Sequence, residues 1–196
     1  MDNLNIFSDT QELLLEHIKK IIDIGYKNNI RIIVFGCPKN RKININIDNN
    51  NIFINFFKRI GEYCIDKNII ICIEPNSKYY NCNYLNLIKE VGDIVKSINH
   101  NNIKMMVDIG NVIMENDNIY DIFEYKDIIY NIDISEDKMN NFINPNKIHY
   151  KFNELIKLMN YNKNINLEML IKEDNCMNEL NILNKSLENF INIYGV

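Results

Sequence analysis

Four acidic residues stand where apolar runs give out: Glu74 after "ICI", Asp108 after "MMV", Asp133 after "YNI" and Glu168 after "INL". A single acid in such a place is usually a cap or turn former. Four on one rim raise a different question. Anions brought to a common centre repel one another unless protons or a cation compensate. One divalent metal ion would do so, and an all-oxygen donor set favours a hard ion such as Mn²⁺ or Mg²⁺ over zinc. A fifth run, "RIIVF", ends at Gly36 and delivers Lys39, Asn40 and Arg41 in a row. These three could bind substrate oxygens or a phosphate, brace the carboxylates, or form a solvated turn.

The elements that must position these groups alternate along the chain. Residues 9–28 read as a helix that Ser8, Asp9 or Thr10 can cap, with Leu14, Ile18, Ile21 and Ile22 on one side. "RIIVF" reads as a strand, residues 42–51 as a polar loop and residues 52–68 as a second amphipathic helix. "IIICIE" is an apolar run of the kind found in strands covered on both faces. A helix over 83–98, the strand "IKMMVD", a short helix at "IYDIFEY" and the strand "IIYNIDI" follow. A helix at "KFNELIKLMN", the strand "NINLEML" and a helix over 176–194 close the pattern. The connections are too long for hairpins, so the strands are expected to be parallel in an α/β fold. Successive strand ends are separated by 38, 34, 25 and 35 residues, as βα units require. Carboxyl ends of parallel strands line the ligand site in barrels and open sheets alike. No composition break divides residues 1–196, which are read as one domain.

Composition narrows the function. The net charge is −4 and there are only three arginines, so no basic stripe invites nucleic acid or an anionic membrane. No apolar run reaches membrane-spanning length, and the start "MDNLNIFSDTQE" lacks a secretory signal's cationic head and apolar core. Five cysteines without a C-x-x-C spacing read as reduced packing residues of a cytoplasmic protein. The excess of Asn, Ile and Lys reads as a coding bias. His17 and His100 read as surface or packing residues, and His149 as a helix-start residue.

Several motifs carry a resemblance. "VFGCPKNR" resembles the "VFGSPKNR" signature of the sugar phosphate isomerase/epimerase group, the xylose isomerase-like TIM barrels. "IEPN" at 73–76, "VDIGN" at 107–111, "NIDISE" at 131–136 and "NLEM" at 166–169 resemble that group's later strand ends, in order and spacing. The resemblance implies an incomplete (β/α)8 barrel with one divalent metal ion at its carboxyl face, held by Glu74, Asp108, Asp133 and Glu168. It implies a sugar or sugar phosphate as substrate, and proton transfer between neighbouring carbons through an enediolate. Glu74 and Glu168 would be the acid/base pair. Asn76, Asn111 and Glu136 would join Lys39, Asn40 and Arg41 as candidate substrate contacts.

The chain departs from the family pattern in two ways. Asp133 and Asn111 stand where histidines are expected. Matched to the family, the sequence begins just before the third strand and shows no clear eighth strand after Glu168. An incomplete barrel exposes edges and apolar faces, which invite association. The chain reads as a fragment of a longer product, as a self-associating form in which a second copy covers the gap, or as a decayed relative without activity. Two other readings remain open: a non-catalytic binding protein on the barrel scaffold, and, less favoured with three scattered histidines, a DNA-repair endonuclease like endonuclease IV.

Overall fold

The computed structural model describes residues 4–43, 48–171 and 176–195. Residues 44–47 of the expected polar loop and the Cys176 side chain lie outside the described residues. Five strands, β1 (Ile32–Phe35), β2 (Ile70–Ile73), β3 (Ile103–Asp108), β4 (Ile129–Ile134) and β5 (Asn164–Leu167), form one parallel sheet in sequential order. It curls into a half-barrel. Among the described residues seven α-helices accompany it: α1 (Gln11–Lys27), α2 (Asn49–Cys64), α3 (Ile88–Ile98), α4 (Ile109–Glu115), α5 (Ile122–Tyr125), α6 (Ile148–Leu158) and α7 (Cys176–Tyr194).

Strand alternation splits the sheet into two unlike faces. Phe35, Ile71, Ile73, Ile103, Met105, Val107, Ile132 and Ile134 join helix residues such as Phe53, Phe57, Val91 and Val95 in one buried cluster. The other, concave face is set by the register partners Val34, Cys72 and Lys104, then Met106 with Asn131, then Asp108 with Asp133 and Asn166. A complete barrel fills this space with layers of branched apolar side chains. Here Asn166 donates to both Asn131 and Asp133, at 3.0 and 2.8 Å. A register shift opposite Met105 and Met106 inserts Tyr130 into β4 as a bulge, where the Lys163 ammonium lies 3.6 Å from its ring centroid.

Helix ends explain where the sequence-based boundaries moved. Thr10 occupies the cap position of α1 without a side-chain cap bond, and its hydroxyl accepts from the Asn5 N–H. Helix α2 starts three residues earlier than its apolar periodicity predicts, because Asp48 accepts from the Asn51 N–H. Helix α3 starts late, with Glu90 accepting from the Asn86 and Leu87 N–H groups. Helix α4 has no counterpart in the sequence reading. Asp108 ends β3 and caps α4 at once, leaving no loop between them. His149 is the second residue of α6 and is fully buried. Among the described residues, asparagine takes the left-handed backbone at positions 29, 68, 81, 99, 116 and 160, where glycine is the usual choice. The asparagine excess therefore has structural use as well.

Candidate active site at the carboxyl end of the sheet

A cleft of about 270 Å³ opens at the carboxyl ends of the strands, lined by Gly36, Pro38, Glu74, Asn76, Ser77, Tyr80, Asp108, Asn111, Met139 and Glu168. Glu74 follows β2 directly, and its N–H donates to the Phe35 carbonyl at 3.3 Å. Glu168 follows β5, with its N–H on the Ile134 carbonyl at 2.9 Å. Asp108 is the last residue of β3 between them. The three carboxylates therefore rise from the sheet's inner side into one opening. Gly36 is required for this arrangement, because a Cβ there would collide with the Glu74 carboxylate.

Burial and mutual repulsion dominate the electrostatics. Desolvation first, then the Asp108 charge, pushes Glu74 up to about 8, against an Asn76 hydrogen bond and the Arg41 charge. Desolvation, then Asp108 and Asp133, pushes Glu168 up to about 7. Burial also raises Asp108, opposed by hydrogen bonds from Ser135 and from the Gly110 and Asn111 backbone. Among the described residues, neither lysine nor arginine lines the cleft.

Each predicted site residue has a definite place. Asp133 stands beside Asp108 in register but does not line the cleft, and it accepts from Asn131 at 2.9 Å and Asn166 at 2.8 Å. Arg41 is fully buried, and its Nη2 donates to Asn76 Oδ1 at 2.8 Å. Arginine has no acceptor, so this bond claims the Asn76 oxygen and leaves the amide N–H₂ to face Glu74. Arg41 thus braces a carboxylate from behind. Lys39 is exposed and Asn40 is buried, with its amide on the Leu4 carbonyl at 2.6 Å; neither lines the cleft. Asn76 and Asn111 do. Asn111 donates to the Asn86 carbonyl at 2.8 Å, while its buried Oδ1 has no hydrogen-bond partner among the described residues. Glu136 is buried under the rim and does not line the cleft.

Sequence reasoning missed Ser77, Tyr80 and Met139 on the cleft wall, and Ser135, whose hydroxyl donates to Asp108. All four lie within the first few residues after a strand-end acid. Proximity to such an acid was the available signal.

The donor chemistry fits a hard divalent cation: several carboxylates share an opening, carry raised pKa values and have no cationic neighbour on the wall. As placed, they are not drawn into a ligand set. Among the described residues, no group of three or more His, Cys, Asp or Glu side chains is arranged to hold a metal ion. Asp108 is turned onto Ser135 and Gly110, and Asp133 onto two asparagine amides.

No curated protein matches the chain in sequence. Among solved structures it resembles D-psicose 3-epimerase from Clostridium cellulolyticum with D-tagatose, at 15% identity and a TM-score of 0.86, covering 100% of this chain and 76% of that one. It also resembles an L-ribulose 3-epimerase, at 14% identity and a TM-score of 0.81, covering 99% of this chain and 71% of that one. The IOLI protein with a binding zinc atom is similar at 13% identity and a TM-score of 0.73, covering 96% of this chain and 71% of that one. At these identities the likeness speaks for the fold. The sequence profile of the xylose isomerase-like TIM barrels matches residues 5–190, nearly the whole chain, and the protein belongs to that family.

Proposed function

We propose that the protein is a divalent-metal-dependent isomerase or epimerase acting on a small keto sugar. The observation that carries this reading is the pairing of Glu74 and Glu168 in one cleft, with pKa values pushed to about 8 and about 7. General acid–base catalysis works best with groups poised near the operating pH and contributes about 10²–10⁴-fold. Without a bound ion Glu74 is mostly protonated and Glu168 about half ionised near neutrality, and a cation held beside them would favour the ionised form of both. Glu168 is then suited to take a carbon-bound proton beside a carbonyl, and Glu74 to return one to the neighbouring carbon or the opposite face, through an enediolate. Glu74, Asp108 and Glu168, with Asp133 beside them, would hold Mn²⁺ or Mg²⁺. Bound there, the ion would polarise the carbonyl and its adjacent hydroxyl. Asn76 and Asn111 would bind hydroxyl groups, and Tyr80, Pro38 and Met139 would shield the reacting carbons from water.

The wall chemistry supports a neutral sugar over a sugar phosphate, since three acids and no lysine or arginine line the cleft among the described residues. The folds it resembles include epimerases of free sugars, named for D-psicose and L-ribulose. The test is Mn²⁺-dependent exchange of a substrate C–H proton with solvent deuterium across a panel of free ketoses. Exchange is expected for at least one of them. Mn²⁺ binding without exchange on any ketose would reject the enzyme reading. The second reading, a non-catalytic binding protein, draws support from the present turn of Asp108 and Asp133 away from a shared point. It predicts no calorimetric signal with Mn²⁺.

A further inference from the structure

A buried polar chain lies behind the cleft wall, outside the site described above. His149 is fully buried, and its Nδ1 is 2.9 Å from the Tyr194 hydroxyl. Its Nε2 lies 3.2 Å from Glu136 Oε1, within ion-pair reach but off the line of a good hydrogen bond. Glu136 Oε1 also accepts from the Asn146 N–H at 2.6 Å. A carboxylate only accepts, so the tautomer that Glu136 favours carries its proton on Nε2 and accepts from Tyr194 at Nδ1. Phe142 packs edge-on against the imidazole, with ring centroids 4.7 Å apart. The chain thus links α7, α6 and the segment that follows β4.

That segment is strained. Lys138 and Met139 have φ of 55° and 59°, so two successive non-glycine residues hold a left-handed backbone. L-residues rarely hold this conformation, and such a turn persists only where its surroundings hold it. Met139 is held by its carbonyl, which accepts from the Leu170 N–H at 2.8 Å, and by its N–H, which donates to the Glu136 carbonyl at 3.2 Å. Glu136 is therefore an anchor for the turn that delivers Met139 to the cleft beside Glu168 and Tyr80.

We infer that His149, tethered by Tyr194, is a positioning residue: through Glu136 it holds the 136–139 turn so that Met139 forms part of the wall of the substrate cleft. This deepens the sugar reading, because the same Met139 wall would press the ketose against the two glutamates.

The test is the methyl spectrum of protein labelled with ¹³C-methyl methionine, with Met139 assigned by Met139→Leu. His149→Phe keeps ring bulk and removes both polar contacts; Tyr194→Phe removes only a hydroxyl; His149→Gln keeps one donor and one acceptor. The expected result is a shift of the Met139 methyl in His149→Phe and Tyr194→Phe, with the buried Met105 and Met106 unmoved, and a return toward the original position in His149→Gln. An unmoved Met139 would overturn the inference. So would a joint shift of all the methionines in both phenylalanine variants, which would make His149 and Tyr194 general packing residues. This readout needs no substrate, so its failure is separable from failure of the sugar reading, which deuterium exchange decides. If that exchange occurs, KM for the exchanging ketose is expected to rise about tenfold in His149→Phe, with kcat changed less and His149→Gln closer to the original.

Discussion

Glu74 and Glu168 are proton-rich in the folded chain. Both hold a proton above the ordinary carboxylate value of 4.5, so between about pH 4.5 and 8 the folded state binds more protons than the unfolded one. Stability then falls as the pH rises through this window. Thermal unfolding in chelator should show the melting temperature dropping from pH 5 towards 8, with Glu168 losing its contribution near 7 and Glu74 near 8. The double variant Glu74→Gln, Glu168→Gln should flatten this slope, and Mn²⁺ should oppose it most above pH 8, where the ligands are ionised. Either single substitution should lower deuterium exchange by about 10²–10⁴-fold. The acids themselves were legible because each interrupts an apolar run. The direction each side chain takes was not. Asp133 sits in register with Asp108, yet two asparagine amides from its own and the next strand claim its oxygen. Those asparagines looked like ordinary members of an asparagine-rich chain.

Elements place these side chains through close backbone approaches. At the end of β1, Gly36→Ala would push the Glu74 carboxylate off its seat. The variant should fold, since its Cβ meets a side chain rather than the core. It should lose about 10²-fold in exchange, the usual consequence of a misplacement near 1 Å. Circular dichroism beside the exchange assay checks both halves. At the end of α3, Asn99 holds a left-handed backbone with φ of 49°. Asn99→Gly should be neutral or stabilising by up to about 1 kcal/mol, since glycine has no Cβ to strain there, and Asn99→Val should cost about 1–2 kcal/mol, both read by chemical denaturation. All five strands were readable as apolar runs ending in polar residues. Helix α4 was not, because seven residues starting directly at a strand end give too few turns for a periodicity. The Tyr130 bulge was also hidden, since β4 reads as an unbroken apolar–polar run.

At the scale of the whole molecule, the sheet is open at β1 and β5. Helix α1, whose Gly25 approaches Ile33 of β1, exposes Leu13, Ile24 and Tyr26, and α7, packed against α6, exposes Leu180, Leu187 and Ile191. Among the described residues, two unpaired sheet edges and these apolar helix faces favour association. Light scattering over a concentration series should give a mass above the 23.3 kDa of one chain, and Leu13→Glu with Ile24→Lys should reduce it. A single-chain mass at every concentration would remove the proposed self-association. The parallel α/β plan was legible from alternation alone, whereas the family resemblance was needed to expect a curled sheet.

The unlike faces of that sheet set different rules for change along one strand. Ile132 and Ile134 point into close-packed surroundings, where removing a methylene opens a void. Asn131 and Asp133, their immediate neighbours, face the inner side, where they share hydrogen bonds with Asn166 and a replacement must keep that pairing rather than a packed volume. Drift in a lineage of this protein would then follow parity: every second position held by volume, and those between, beneath the carboxylates, held by matched donors and acceptors.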